Sequence, residues 1–330
     1  MTDKGKLKLP DCFIADLCVP GQPTRLLQRR GDALVTVDDR PEMTFPIVRG
    51  TPILINEDNS VFLLSHYREG KVTTMDLRDP TEKDRGVLAR LKAQVGRMIP
   101  GKSRNVSKYS GRDALADLLD KQPDAKILVV GAGEARFEIQ RDANIVYTDV
   151  ALAPDTHLIA DAHDIPFVGG VFDAVFAIAV LEHVADPNRC VEEIRRVLKP
   201  EGLVFSSIPF MQQVHMGRYD YTRFTAIGHR RLFRWFDEVR SGVSNGPGMA
   251  LAWSLEYFLS SFSEKPVTRH LLQLLSRCIS WPFLLADEFL AGKAGAYDCA
   301  SAYYFCGRLR DAPLSERQII AQYRGMGGLS

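Results

Sequence analysis

Lys126-Ile127-Leu128-Val129-Val130 runs straight into Gly131-Ala132-Gly133, and this junction constrains the fold more than any other stretch of the chain. An apolar strand that ends in closely spaced glycines is how an α/β sheet receives a nucleotide-like ligand. Gly131 and Gly133 permit backbone angles and a close approach that a Cβ would forbid. The same pattern also occurs in strand–turn units that hold nothing, so the residues that follow decide its meaning.

Ile145-Val146-Tyr147-Thr148 reads as a second strand and ends in Asp149, 18 residues after Gly131. A carboxylate there is placed to accept hydrogen bonds from both hydroxyls of a ribose. A third run, Thr156-His157-Leu158-Ile159-Ala160, ends in Asp161-Ala162-His163-Asp164. Next come Ile165-Pro166-Phe167, a Val168-Gly169-Gly170 turn, a strand at Phe172-Asp173-Ala174-Val175-Phe176, and Val180-Leu181-Glu182-His183-Val184. Asp186-Pro187 then caps a helix striped by Val191, Ile194 and Leu198, Lys199-Pro200-Glu201-Gly202 stops it, and Leu203–Ile208 returns to the sheet.

In order and spacing this series resembles the class I S-adenosylmethionine-dependent methyltransferases of the small-molecule type. The likeness is strongest over about 126–242. It implies an α/β fold, a doubly wound seven-stranded Rossmann-like sheet, with a small N-terminal β module and a helical insertion before the last strand. It also implies a cofactor site at Gly131, Ala132, Gly133, Asp149, Val150, Asp161, Ala162, Ala177 and Ile178: the glycines border the methionine part, Asp149 the ribose, and Asp161 with Ala162 the adenine edge. Two positions depart from the family pattern, Val129 where an acidic residue is frequent and Ala135 in place of a third glycine.

His183 has two readings, one as the start of the crossover and one as a proton acceptor beside the methyl donor. Downstream of the fifth strand, Pro209 to Thr225 is dense in hydrogen-bonding aromatics, with His215 and Tyr221 as catalytic candidates and Tyr219 and Arg223 as substrate-binding candidates. Thr225 also suits an N-cap for a helix carrying Ile227, Leu232 and Phe236. The series resembles methyltransferases encoded among glycan-building enzymes, which by association tilts the acceptor toward a small molecule, a sugar or lipid-linked glycan hydroxyl.

The domain reading is a β module at 1–65, a linking helical segment at 66–110 with a helix from Arg78 to Arg97, and a methyltransferase domain at 111–330 with an insertion at about 245–298. The first unit resembles a zinc-ribbon-like domain, but only Cys18 remains where a ligand would stand, so no metal is expected. Apolar residues recur at helical intervals through 249–290, with Trp253, Trp281, Arg269 and Arg277 among them, which suits core, a dimer surface or a peripheral membrane contact. Six scattered cysteines and no signal-peptide pattern suggest the cytoplasm, with the inner membrane face as an alternative. With 42 basic and 41 acidic residues there is no global electrostatic case for nucleic acid, and a solvated helix face explains the local basic cluster Arg230, Arg231, Arg234 and Arg240, with His229 beside it, at least as well. Two functional classes follow, an active methyltransferase and a cofactor-binding scaffold or partner subunit without turnover; a nucleic-acid methyltransferase is a third.

Overall fold

A computed structural model describes residues 6–68, 101, 103–133, 137 and 144–328; the helix expected over 78–97 lies outside them. Twelve strands form one sheet in the order β1-β2-β3-β4-β5-β8-β7-β6-β9-β10-β12-β11. Its centre is the parallel set β6 (Lys126–Val130), β7 (Asn144–Asp149), β8 (Leu158–Ala160), β9 (Phe172–Ile178) and β10 (Leu198–Pro209). These strands are covered on both faces, and so their sequences are near-continuous Val/Ile/Leu/Phe rather than alternating. β12 (Ala302–Leu309) joins β10 antiparallel, and β11 (Phe236–Asn245) closes that side.

The sheet has twelve strands where seven were expected: seven run from β8 to β11, and five more continue it beyond β8. β1 (Cys18–Val19), β2 (Gln22–Arg30), β3 (Ala33–Thr36), β4 (Thr44–Val48) and β5 (Thr51–Leu54) form an antiparallel meander, whose last strand pairs parallel with β8 through Ile53↔Ile159 and Leu54↔Ala160. Without β5, β8 would present a bare apolar edge. Phe13 is fully buried and stacks on Phe172 at 5.7 Å. The hydrogen bonding and the core therefore run through the boundary drawn at residue 65.

Helices flank the sheet. α1 (Leu64–Arg68) follows β5, and α2 (Gly111–Lys121) starts at a Ser110/Asp113 capping box and buries Ala114, Leu115, Leu118 and Leu119. α3 (Pro187–Val197) takes its N-cap from Asp186, which accepts the Arg189 N–H at 3.1 Å, and buries Cys190, Val191, Ile194 and Val197. α4 (Ala226–Leu232) starts from Thr225, whose hydroxyl accepts the Gly228 N–H.

Three sequence expectations change. Phe236 lies in β11 and not in a helix, and Leu198, expected in a helix stripe, instead opens β10. The helix face expected to be solvated turns two residues inward: His229 is buried with Nε2 3.0 Å from Ser206 Oγ, and Arg230 donates to the carbonyls of Phe233 and Phe236. Those carbonyls lie where α4 gives way to β11, and the buried guanidinium satisfies them.

Between β11 and β12 stand α5 (Pro247–Ser260), α6 (Pro266–Leu290) and α7 (Ala294–Cys299). Asp287 of α6 accepts the N–H groups of Gly248 and Met249 at 2.6 and 2.9 Å, capping α5. A Cβ on Gly248 would lie 2.0 Å from the Phe283 carbonyl oxygen, so only glycine allows this approach.

Candidate functional site

β6 and β9 are neighbours although 7 and 8 lie on the far side of β6, so the strand order reverses between them. The crevice beyond the carboxyl ends of strands at such a reversal is where open α/β sheets take ligands. Gly131 and Gly133 both have positive φ, +59° and +56°. A Cβ on Gly131 would fall 2.5 Å from Val180 Cγ2, whereas one on Gly133 would meet nothing within 4 Å. The first glycine is needed for packing and the second leaves open space. Beside them a cavity of about 280 Å³ is lined by Gly131, Ala132, Ile178, Ser207, Ser110 and Tyr304.

Asp149 ends β7 with its carboxylate buried. Oδ2 accepts the Gly133 N–H at 2.7 Å and Oδ1 the Ala151 N–H at 2.8 Å. Burial raises its pKa against the pull of these bonds. The carboxylate thus fixes the glycine turn, and each oxygen retains a lone pair for a further donor. Asp161 is more fully engaged. Ser60 Oγ donates to one oxygen at 2.6 Å, and the backbone and ring N–H groups of His163 to the other at 3.0 and 2.6 Å. Burial works to raise the Asp161 pKa, yet these bonds hold it below the ordinary value. The Val150 carbonyl accepts the Tyr67 hydroxyl at 2.6 Å, while Ala162 and Ala177 are buried. The segment around Ser60 and Tyr67 therefore covers the β7–β8 end of the crevice, a contribution with no motif to announce it.

Ala179 at the end of β9 adopts φ +54°, an uncommon conformation for a residue with a side chain. It turns the chain so that Leu181-Glu182-His183 folds back against the loop after β10. There His183 Nε2 stands 3.1 Å from His215 Nε2. His183 Nδ1 is 3.0 Å from the Tyr219 carbonyl, and burial lowers the His183 pKa, so its ring is neutral near pH 7. Glu182 is 1% exposed, and neither of its oxygens makes a hydrogen bond among the described residues. Burial pushes its pKa up to about 8.

The two candidate histidines come together, and the other acceptor-side candidates hold the loop. Arg223 forks onto Asp220 and also donates to the carbonyls of Gln212 and Gln213. Burial opposes ionisation of Asp220, but the Arg223 fork keeps its pKa down at about 2. Tyr219 stacks on Phe62 at 5.9 Å, and Tyr221 is exposed, with its N–H donated to the Glu182 carbonyl. Trp253 of α5 meets the His215 ring edge-on at 6.2 Å. Glu182 was legible only as a carboxylate in an apolar run; Ser60, Asp220 and Trp253 gave no separate signal.

Residues 131–206 match the family of methyltransferase domains. Over those residues, and in strand order and glycine crevice, the chain is similar to class I methyltransferase domains, whose cofactor is S-adenosylmethionine. Among curated proteins the chain is similar to a demethylmenaquinone methyltransferase of Symbiobacterium thermophilum, 32% identical over 117 residues, covering 34% of this chain and 45% of that protein. A demethylmenaquinone methyltransferase of Paenarthrobacter aurescens is 29% identical over 178 residues, 50% of this chain and 66% of its own length. The mitochondrial arginine-hydroxylase NDUFAF5 of Mus musculus is 30% identical over 121 residues, 34% of this chain and 33% of its own. The chain thus spans from a third to two thirds of the length of these relatives.

The crevice suits the cofactor in part. The open space over Gly133, the cavity beside Gly131 and the buried Asp149 fit the methionine and ribose portions of S-adenosylmethionine. Asp161, held by Ser60 and His163, has less capacity left for an adenine edge.

Proposed function

We propose that the protein transfers the methyl group of S-adenosylmethionine to an oxygen of a lipid-linked acceptor, a glycan hydroxyl in the first instance, at a membrane surface. The observation that carries the transferase reading is the glycine turn pinned by Asp149 beside the cavity, inside the region matching the methyltransferase family. The bound sulfonium supplies an electrophilic methyl group. Gly131, Ala132, Gly133 and Asp149 would hold the cofactor, with Val150, Asp161, Ala162, Ala177 and Ile178 around it. His183 and His215 lie on the same strand-end side: His183 donates its N–H to the carbonyl of Val180, the residue packed on Gly131. A neutral imidazole there accepts the proton that a hydroxyl gives up as it is methylated.

The lipid-linked part rests on α6. Its inward side carries Ser276, Ser280 and Asp287 with one apolar residue, Leu284, whereas Val267, Leu271, Leu275 and Ile279, spaced by four, are turned outward and are 48–75% exposed. Phe258 of α5 and Phe262 just beyond its end are also exposed, and Arg269 lies on α6, while Arg277 pairs with the buried Glu256. A helix with polar side in and apolar side out is suited to lying on a bilayer. Among the described residues no helix is long and apolar enough to cross one. The relatives differ in named acceptor and in named reaction, so similarity over a third of the chain leaves the acceptor to experiment.

The test is transfer of labelled methyl from S-adenosylmethionine to lipid-linked glycan precursors in vesicles, with cofactor binding followed calorimetrically. Binding with transfer supports the proposal. Binding without transfer to any acceptor in the screen identifies the scaffold reading, and no binding removes both.

A further inference from the structure

One ligand atom from each of Glu182, His183 and His215 lies within 4.8 Å of the other two. Proton placement makes this cluster unusual. The Tyr219 carbonyl near His183 Nδ1 can only accept, so Nδ1 carries the hydrogen and Nε2 is left with its lone pair. His215 Nδ1 faces the Gln213 carbonyl at 3.3 Å and the Asp220 carboxylate at 3.4 Å, again acceptors; Arg223, 3.5 Å away, is already forked onto Asp220. The His215 Nε2 therefore also presents a lone pair. Two lone pairs facing each other at 3.1 Å need a positive charge between them, either a proton or a metal ion.

Glu182 separates these alternatives. Its carboxylate is buried, has no hydrogen-bond partner among the described residues, and brings Oε1 to 3.8 Å from His183 Nε2. A proton shared by the imidazoles leaves both carboxylate oxygens unsatisfied, whereas one cation takes all three groups. We propose that Glu182, His183 and His215 bind a divalent transition-metal cation, leaving a coordination position for an oxygen of water or of the acceptor. Only the acceptor clause rests on the transferase reading; with the ion bound both Nε2 lone pairs are occupied, so the acceptor's proton would pass to a metal-bound hydroxide, and the imidazole base belongs to the metal-free site.

Two imidazoles select transition metals over magnesium or calcium, which prefer all-oxygen sites. Metal–ligand bonds of about 2.0–2.1 Å place two tetrahedral ligands roughly 3.3 Å apart. The imidazole nitrogens already stand near that spacing, and Glu182 has about half an ångström to close toward His183 and up to roughly 1.5 Å toward His215. The outer contacts are those of metal-bound histidines: each Nδ1–H is held by a carbonyl, and Asp220 backs His215. The sequence expectation of no metal came from cysteine spacing, and this set contains no cysteine.

The test uses the full chain, stripped with chelator and free of S-adenosylmethionine. Zinc titration by calorimetry and cobalt titration by optical spectroscopy should both saturate at one ion per chain, with cobalt showing d–d bands of a nitrogen/oxygen site. His215→Ala and His183→Ala should weaken zinc binding by more than the roughly 10–100-fold that loss of an outer-shell partner costs. Glu182→Gln should weaken it by at least about tenfold, and replacing the exposed Cys12 and Cys278 with serine should leave it unchanged. No saturable binding by the folded chain overturns the proposal. So does wild-type affinity in His215→Ala, which alters an exposed loop residue and decides the matter should His183→Ala fail to fold. Titrating S-adenosylmethionine into the same samples keeps the two proposals apart: cofactor without metal removes the metal site alone, and metal without cofactor removes the transferase reading alone.

Discussion

Replacing Asp149 with asparagine tests whether one carboxylate both builds and serves the crevice. In the wild type its two oxygens accept the Gly133 and Ala151 N–H groups at 2.7 and 2.8 Å. An asparagine of the same shape can accept only one of them and turns its own NH2 against the other. Losing a charge-assisted bond to a buried N–H costs about 1.5–3 kcal/mol, and the surviving bond falls to about half its strength. Part of this is returned because no charge is buried in the variant, the effect that raises the Asp149 pKa. A net loss of about 1.5–3 kcal/mol follows, which at roughly 2–4 °C per kcal/mol lowers the melting temperature by about 3–12 °C. Ribose binding should weaken with it, by more than tenfold in Kd, since about 1.4 kcal/mol is a factor of ten. Differential scanning calorimetry and calorimetric titration of S-adenosylmethionine measure the two effects. Gly133→Ala is the control: the Cβ enters open space, so it should cost only the strain of a positive φ, about 1–2 kcal/mol. A D149N protein that melts with the wild type and binds the cofactor equally well would refute both roles of the carboxylate.

Gly131→Ala, by contrast, should damage folding more than Gly133→Ala, because its Cβ would fall 2.5 Å from Val180 Cγ2 as well as sitting at positive φ; equal melting temperatures would contradict the packing described. His229 should make stability pH-dependent. Burial, then the charge of Arg230, lowers its folded pKa to about 3, against about 6.5 unfolded, so as pH falls the unfolded chain takes up the proton first. Its contribution is intact above about pH 6.5 and declines toward 3; at pH 4.5 roughly 2–3 kcal/mol is lost. The stability difference between wild type and His229→Phe should shift by that amount between pH 7.5 and 4.5, and a constant difference would show that His229 is not buried neutral. Changing Leu271, Leu275 and Ile279 together to serine should abolish flotation with anionic vesicles and leave cofactor affinity alone. Unchanged flotation, or a wild-type mass that doubles with concentration in the absence of lipid, would assign that face to something other than a bilayer.

The central strands were legible because a parallel strand buried on both faces leaves little choice of residue: Ile127 to Val130 and Phe172 to Phe176 are apolar almost throughout. β11 was not legible. In Phe236-Asp237-Glu238-Val239-Arg240-Ser241-Gly242 an outer strand with one wet side reads like the continuation of the helix before it. The N-terminal strands were visible individually, but a strand's sequence does not name its neighbour, and the pairing of Ile53 with Ile159 joins residues that only the folded chain brings together.

The same distinction divides the site. Gly131, Gly133 and Asp149 could be found because they share one strand–turn–strand unit whose spacing is local. His183 and His215 are 32 residues apart, and their meeting depends on the left-handed turn at Ala179, the Tyr219 carbonyl and the Arg223–Asp220 fork, each ordinary in sequence. Arg223 illustrates the error that follows: a basic residue among aromatics suggested substrate binding, yet its donors go to its own loop. Its removal should therefore disturb His215 before it disturbs any ligand. In α6 the four-residue period was equally plain, but periodicity does not say which side faces in; Asp287 capping α5 decides that the polar side does. Locally encoded geometry thus carries the proposed cofactor crevice, while the histidine pair and the exposed apolar face exist only through long-range packing, so variants of the supporting residues test them as directly as variants of the histidines do.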